Sequence, residues 1–286
     1  MNDMQYMQAV PGLLKAIDNA DAIVVGAGAG LSTAAGLTYA GERFERHFAD
    51  FIAKYGFRDM YTAGFFPFPT LEEQWAYWSR HIWCNRYVEP PKDTYAKLLQ
   101  LLDGKSVFVL TTNVDHQFQK AGFPKERLFY TQGDYGLWQC SEPCHDKTYD
   151  NYETVKRMVD EQRDMRVPTE LVPHCPVCGK PMSMNLRADD SFVEDAGWHA
   201  AAKRYRDFLE AHQEGEVLYL ELGVGGNTPV IIKYPFWRYT NANPQATYAC
   251  VNFGEAYAHQ SIVDRSILID ADIDKVLEDL LEERGR

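Results

Sequence analysis

The sequence predicts an α/β fold, a doubly wound parallel sheet of the Rossmann-like kind, on three observations. Short apolar runs such as Ile23–Val25, Val107–Leu110 and Val217–Leu222 alternate with segments whose apolar residues recur at three- and four-residue spacing. Buried parallel strands joined by amphipathic helices leave that pattern. The runs end in glycines or small polar residues, at the strand edge where open α/β sheets receive ligands. At 286 residues and 45% hydrophobic content, the chain can build one large core and a smaller module.

Residues 4–20 read as a helix lying on a core through Met7, Val10, Leu13, Leu14 and Ile17. The first strand then empties into Gly26, Gly28 and Gly30. Glycines let backbone approach a ligand closely, and the free N–H groups of a following helix favour an anion, here a pyrophosphate. As a dinucleotide fingerprint the turn is incomplete: Thr33 stands where a third glycine is usual, and the region about 20 residues on, Phe44 to Ile52, is helix-like rather than an acidic strand end. Residues 41–92 form a helical insertion, with Phe48, Phe51, Ile52 and Tyr55 on one face, Leu71, Trp75, Trp78 and Ile82 on another, and a loop at Ala63–Pro69 between them.

A helix face of Tyr95, Leu98, Leu99 and Leu102 precedes the second strand, which runs into Thr111–Phe118. That polar cluster at a strand end is the leading site candidate. A third run, Arg127–Tyr130, opens into Thr131–Gly136. Residues 137–196 change character, with five prolines, four cysteines and few periodic apolar positions, so this insertion lacks a core of its own and needs a metal to hold it. A helix through Tyr205, Phe208, Leu209 and His212, the strand Val217–Leu222, a second glycine turn at Gly223–Pro229, strands Thr247–Val251 and Ile267–Ile269, and a closing helix with Ile273, Val276, Leu277, Leu280 and Leu281 complete the sheet. The expected domains are therefore 1–40, 93–136 and 197–286 for the sheet, with 41–92 and 137–196 hung on it.

Cys140, Cys144, Cys175 and Cys178 pair as metal ligands, with zinc the expected ion. The first pair is spaced by three residues and the pairs lie 30 residues apart, which departs from the usual ribbon. Reduced thiols packed in a hairpin are the alternative. Four thiolates would close the shell and make a structural rather than catalytic centre. Cys84 and Cys250 read as buried apolar residues. A net charge of −12 and a pI of about 5.1 argue against a general grip on nucleic acid or anionic membrane. With no basic leader and no apolar run of membrane-span length, the expectation is a cytoplasmic protein whose partners are small molecules or other proteins.

Taken together, Gly28-Ala-Gly-Leu-Ser32 with Gly36, Thr112-Asn-Val-Asp115, the paired-cysteine insertion, the Gly223 turn and Val251-Asn252 resemble a sirtuin over nearly the whole chain. The resemblance implies NAD as cosubstrate, with its nicotinamide–ribose bond broken. It implies that Asn113 hydrogen-bonds the nicotinamide ribose and Asp115 orients the nicotinamide pocket. Ser32 and the turn Gly26, Ala27 and Gly28 would hold pyrophosphate, with Gly36, Leu37 and Thr112 beside them. Gly223, Val224, Gly225, Asn227, Asn252 and Phe253 would flank the adenosine.

Two departures from sirtuin deacylases bear on activity. Deacylases place a histidine, the general base, before the glycine of the third motif; here Gln132 stands there, and an amide takes up no proton near neutral pH. The loop that carries Pro, Asp, Phe and Arg in deacylases reads Leu37-Thr-Tyr-Ala-Gly41, leaving Tyr39, Arg43 and Phe44 as candidates for a rebuilt pocket cap. Both departures resemble the macrodomain-linked class M sirtuins. They imply an NAD-dependent protein mono-ADP-ribosyltransferase with Asn113, Asp115 and Gln132 as catalytic residues. The implied acceptor is a lipoyl-bearing, glycine-cleavage H-like carrier protein in an oxidative-stress setting, with a macrodomain as a further partner. A weak deacylase, an NAD glycohydrolase and a non-catalytic NAD or ADP-ribose sensor stay open. So do plainer roles: a helix N-cap for Asn113, a backbone-bonded loop amide for Gln132, and a packing or solvent role rather than a replacement base for His116.

Overall fold

The structure, a computed structural model, describes residues 3–226 and 229–286. Helix α1 (Asp3–Asn19) leads into the central strand β1 (Ala22–Ala27) and the short α2 (Ala29–Ala34). Helices α3 (Glu42–Tyr55), α4 (Met60–Gly64) and α5 (Leu71–Ile82), the last prolonged by a π-turn over Trp83–Tyr87, make an excursion before α6 (Thr94–Leu101) and β2 (Val107–Thr111) rejoin the sheet. After α7 (Gln117–Lys120) and β3 (Leu128–Tyr130), the chain leaves again through β4 (Gly133–Cys140), β5 (Tyr149–Asp150), α8 (Tyr152–Glu161) and β6 (Met182–Leu186). It returns through α9 (Ala196–Ala211), β7 (Val217–Leu222), α10 (Lys233–Ala242), β8 (Thr247–Val251), β9 (Ser266–Ile269) and α11 (Ile273–Arg284).

Six strands form one parallel sheet in the order β3-β2-β1-β7-β8-β9. The chain winds outward from β1 in one direction and from β7 in the other, so the order reverses between these neighbours. A crevice at the carboxyl ends of strands opens at such a switch point. Here Ala27 lies opposite both Thr111 and Leu222. One face of the sheet is covered by α1, α6 and α11, with Ile17, Ile23, Val25, Leu98, Val109 and Val276 in its core; the other carries Val24, Phe108, Phe208, Tyr219, Phe236 and Tyr248.

Two expectations need correction. In α1, Val10, Leu13, Leu14 and Ile17 are buried but Met7 is 74% exposed. Tyr6 takes its place against the core, its hydroxyl donating to Asp279 at 2.6 Å. The segment given as a loop from Ala63 is helical through Gly64, because the Asp59 carboxylate caps α4 by accepting from the Thr62 N–H at 2.7 Å. The cysteine-bearing insertion has no core of its own, as expected, but packing as well as its cysteines holds it: Val155, Met158, Leu171 and Met182 pack with Phe44, Phe48, Trp75 and Tyr77 of the helical excursion. Its small antiparallel sheet has the order β5-β4-β6.

Candidate functional site

The two glycine turns meet at the switch point. A Cβ on Gly30 would lie 2.7 Å from Gly223 Cα, and one on Gly28 would lie 2.7 Å from the Gly223 carbonyl oxygen. The amides expected to be free for an anion are partly engaged: the Gly28 N–H donates to Leu222 O and the Gly30 N–H to Gly223 O. Close backbone packing therefore accounts for these glycines. At Gly26 the space of a side chain is filled by Ile232 and Phe236 of the facing layer, and Ala27 is fully buried, so both shape the floor of the crevice.

Above this floor lies a buried polar cluster from three segments. Asn113 Nδ2 donates to Gly28 O at 2.9 Å and to Ser32 Oγ at 3.0 Å, and the Ser32 hydroxyl donates to Asp115 Oδ2 at 2.5 Å. Tyr95 Oη lies 2.9 Å from Ser32 Oγ. Periodicity marks Tyr95 only as part of a helix face and carries no signal for its hydroxyl, which sits at the start of α6. Asn113 is not a helix cap, since His116 holds that position before α7. Burial pushes the Asp115 carboxyl above the usual carboxylate range, and nearby Asp134 adds to the rise, against the lowering bonds from Ser32 and the Gln117 N–H. Thr112 is half-buried beside the cluster, its N–H donating to Ala27 O at 3.1 Å.

Tyr130 lies opposite Thr111 in the sheet, so Gln132 stands two residues past one strand as Asn113 stands two past the other. The Gln132 carbonyl accepts from the Arg187 N–H at 3.0 Å, while its side-chain amide has no hydrogen-bond partner among the described residues. Gly133 follows in the left-handed region, φ 98°, where a Cβ would meet Asn185 O. Asp134 then turns inward and receives Arg86 Nε at 2.7 Å, the Gly136 N–H at 2.7 Å and His116 Nδ1 at 2.5 Å. Burial alone would raise its carboxyl, but the His116 bond and the Arg86 charge outweigh that and hold it below the usual range.

The rebuilt loop packs against the small module. Leu37 and Phe44 are buried, Phe44 with its ring 5.4 Å from Phe48 in the aromatic core. Tyr39 Oη lies 2.7 Å from Tyr135 Oη, which is 2.8 Å from His81 Nε2. Arg43 donates to Thr38 O, Asn85 Oδ1 and Cys84 O, and with Gly36, Leu37 and Pro91 lines a cavity of about 380 Å³. Across the crevice, Val224 is buried, Gly225 is exposed, Asn252 Nδ2 donates to Val224 O at 3.1 Å, and Phe253 is 79% exposed. Asn227 lies outside the described residues.

The sulfurs of Cys140, Cys144, Cys175 and Cys178 all fall within 4.8 Å of one another, with two Sγ pairs at 3.5 and 3.7 Å. A tetrahedron with zinc–sulfur bonds near 2.3 Å has edges of about 3.8 Å, so this donor set fits zinc despite its unusual spacing. Cys84 and Cys250 are buried away from it. Among the described residues no helix is long and apolar enough to cross a membrane.

No protein-family model matches the sequence. A protein ADP-ribosyltransferase of Staphylococcus aureus is 44% identical over 266 residues, spanning 93% of this chain and 84% of that one. A probable bifunctional ADP-ribose hydrolase/ADP-ribosyltransferase of Fusarium oxysporum is 33% identical over 238 residues, 77% of this chain but only 38% of its own length. Among solved structures, a Sir2 enzyme superposes with a TM-score of 0.63 at 18% identity, over 98% of this chain and 99% of the other. A Sir2 homologue in complex with NAD gives 0.59 at 16% identity, over 96% and 93%. The fold is that of Sir2, and the chain belongs to the sirtuin-type protein ADP-ribosyltransferases.

Proposed function

We propose that this protein is an NAD-dependent mono-ADP-ribosyltransferase that breaks the nicotinamide–ribose bond and passes ADP-ribose to a protein side chain. The observation that carries the reading is Gln132, whose amide is unpartnered among the described residues and stands level with Asn113 where a deacylase would carry its histidine. NAD, when bound, supplies the ADP-ribosyl group. Asn113, fixed by Gly28 O and Ser32, is oriented to hold a ribose hydroxyl, and Asp115 supplies a carboxyl in a water-poor setting beside the nicotinamide end. Gln132 can donate to and accept from a hydroxyl but takes no proton, which suits transfer and not acyl-directed chemistry. Gly36, Leu37, Tyr39 and Arg43 form the cap, and Gly223, Val224, Gly225, Asn227, Asn252 and Phe253 the adenosine side. The acceptor we favour is a lipoyl-carrier protein in the cytoplasm, with a macrodomain protein as a further partner; the Fusarium relative is named for both transferase and hydrolase.

Labelled NAD, incubated with the enzyme and candidate carrier proteins with and without lipoate, tests this directly. Label on the carrier is expected. Free ADP-ribose alone would mark a glycohydrolase, release of acetyl groups from acetyl-lysine peptides a deacylase, and intact NAD a sensor. Asn113→Ala should abolish every NAD-consuming activity, and Gln132→His should lose transfer while gaining deacylation.

A further inference from the structure

Attack on the ribose carbon by a neutral side chain leaves a proton to remove, and Gln132 takes none. His116 stands three residues past Asn113. It is one of three non-glycine residues with positive φ among the described residues, at φ 64° and ψ 16°, a conformation that costs a histidine energy and is held only where the surroundings insist on it. It follows Asp115 directly, and its ring is aimed by the buried Asp134, whose Oδ2 accepts from Nδ1 at 2.5 Å. Asp134 is in turn locked by Arg86 and the Gly136 N–H. The bond at Nδ1 fixes the tautomer, so Nε2 carries the lone pair. Nε2 has no partner among the described residues, and the side chain is 27% exposed. A carboxylate on one nitrogen and an open lone pair on the other is the arrangement of a general base.

We propose that the His116–Asp134 pair is the general base for the acceptor side chain, a role that rests on the transfer reading above. As the acceptor atom forms its bond to the ribose carbon, the carbon–nitrogen bond to nicotinamide breaks. Its electron pair neutralises the pyridinium, so nicotinamide leaves uncharged. The acceptor proton passes to His116 Nε2, the resulting imidazolium is stabilised by Asp134, and the proton is then lost to water. His116 is paired with Asp134, which also receives Arg86, and follows Asp115 in the chain.

His116→Asn and His116→Gly both tolerate the left-handed backbone and so leave the fold intact. Each is expected to slow transfer to the carrier about 100-fold or more, the usual range for a lost base. NAD affinity by titration calorimetry should stay within a few-fold of the parent. Added imidazole should restore part of the rate to His116→Gly. Transfer within about threefold of the parent, or a loss matched by an equal loss of NAD affinity with no imidazole rescue, would reduce His116 to a structural cap. If the parent enzyme binds NAD but labels no carrier, the transfer reading itself falls and takes this role with it.

Discussion

Both faces of the parallel sheet are covered by side chains drawn from the length of the chain, with Ile23, Val25, Leu98, Val109 and Val276 among those on one side and Val24, Phe108, Tyr219 and Tyr248 on the other. The small module instead packs aromatic rings tightly, as where Tyr77 lies 4.9 Å from Phe48 and 5.5 Å from Phe51, and closes its small sheet against four thiols. The sheet spreads its stability over many modest burials. The module concentrates it in a few groups, so single chemical changes should separate the two.

Removing the metal from the four thiols should have the largest effect. Zinc analysis is expected to find one ion per chain, and a chelator or Cys175→Ser should release amide protection around Trp138 and Met182 while β1 stays protected. Structural zinc contributes on the order of 10 kcal/mol in small peptides, more than the module can lose. Protection kept after chelation would show that its rings suffice.

The sheet has one concentrated feature of its own. Lys233 is fully buried, with Nζ 2.5 Å from Glu221 Oε1, and Tyr248 Oη donates to the other carboxylate oxygen at 2.6 Å. Lys233→Met should cost about 3–5 kcal/mol by stranding the carboxylate. Adding Glu221→Gln should recover most of that in urea denaturation; no recovery would place the cost in packing.

Acid should strike the module next. Burial pushes the His81 imidazole down to about 3, whereas an unfolded histidine titrates near 6.5. Between those values the unfolded chain binds a proton that the folded chain refuses, so stability falls as pH drops below about 6.5, by about 2 kcal/mol at pH 5. Asp134, held low, adds its loss only below the usual carboxylate range. His81→Gln should flatten the slope of denaturation midpoint between pH 7 and 5; an unchanged slope would assign it to other groups. The smallest effect belongs to the sheet's ordinary core: Ile17→Val should cost about 1 kcal/mol.

The same contrast explains what could be read in advance. Apolar runs marked β1, β2, β7 and β8 because parallel strands buried on both faces need continuous apolar sequence. The Asn113–Asp115 turn could be read as a polar cluster at a strand end, and the cysteines as two close pairs in a segment poor in apolar periodicity, although their spacing departs from the usual ribbon. Tyr95, Arg86 and Asp134 were not legible, since each joins its cluster at a sequence separation of 18 to 63 without a local signature. Nor was the shared core of the two insertions, because burial of Phe48 beside Met158 is a property of docking and not of either segment's periodicity.

Gly28 and Gly30 touch Gly223 with no room for a single added carbon. The two turns thus form a keyed joint at the centre of the molecule: any widening of one displaces the other. A side chain added to either turn therefore requires a compensating change in the other.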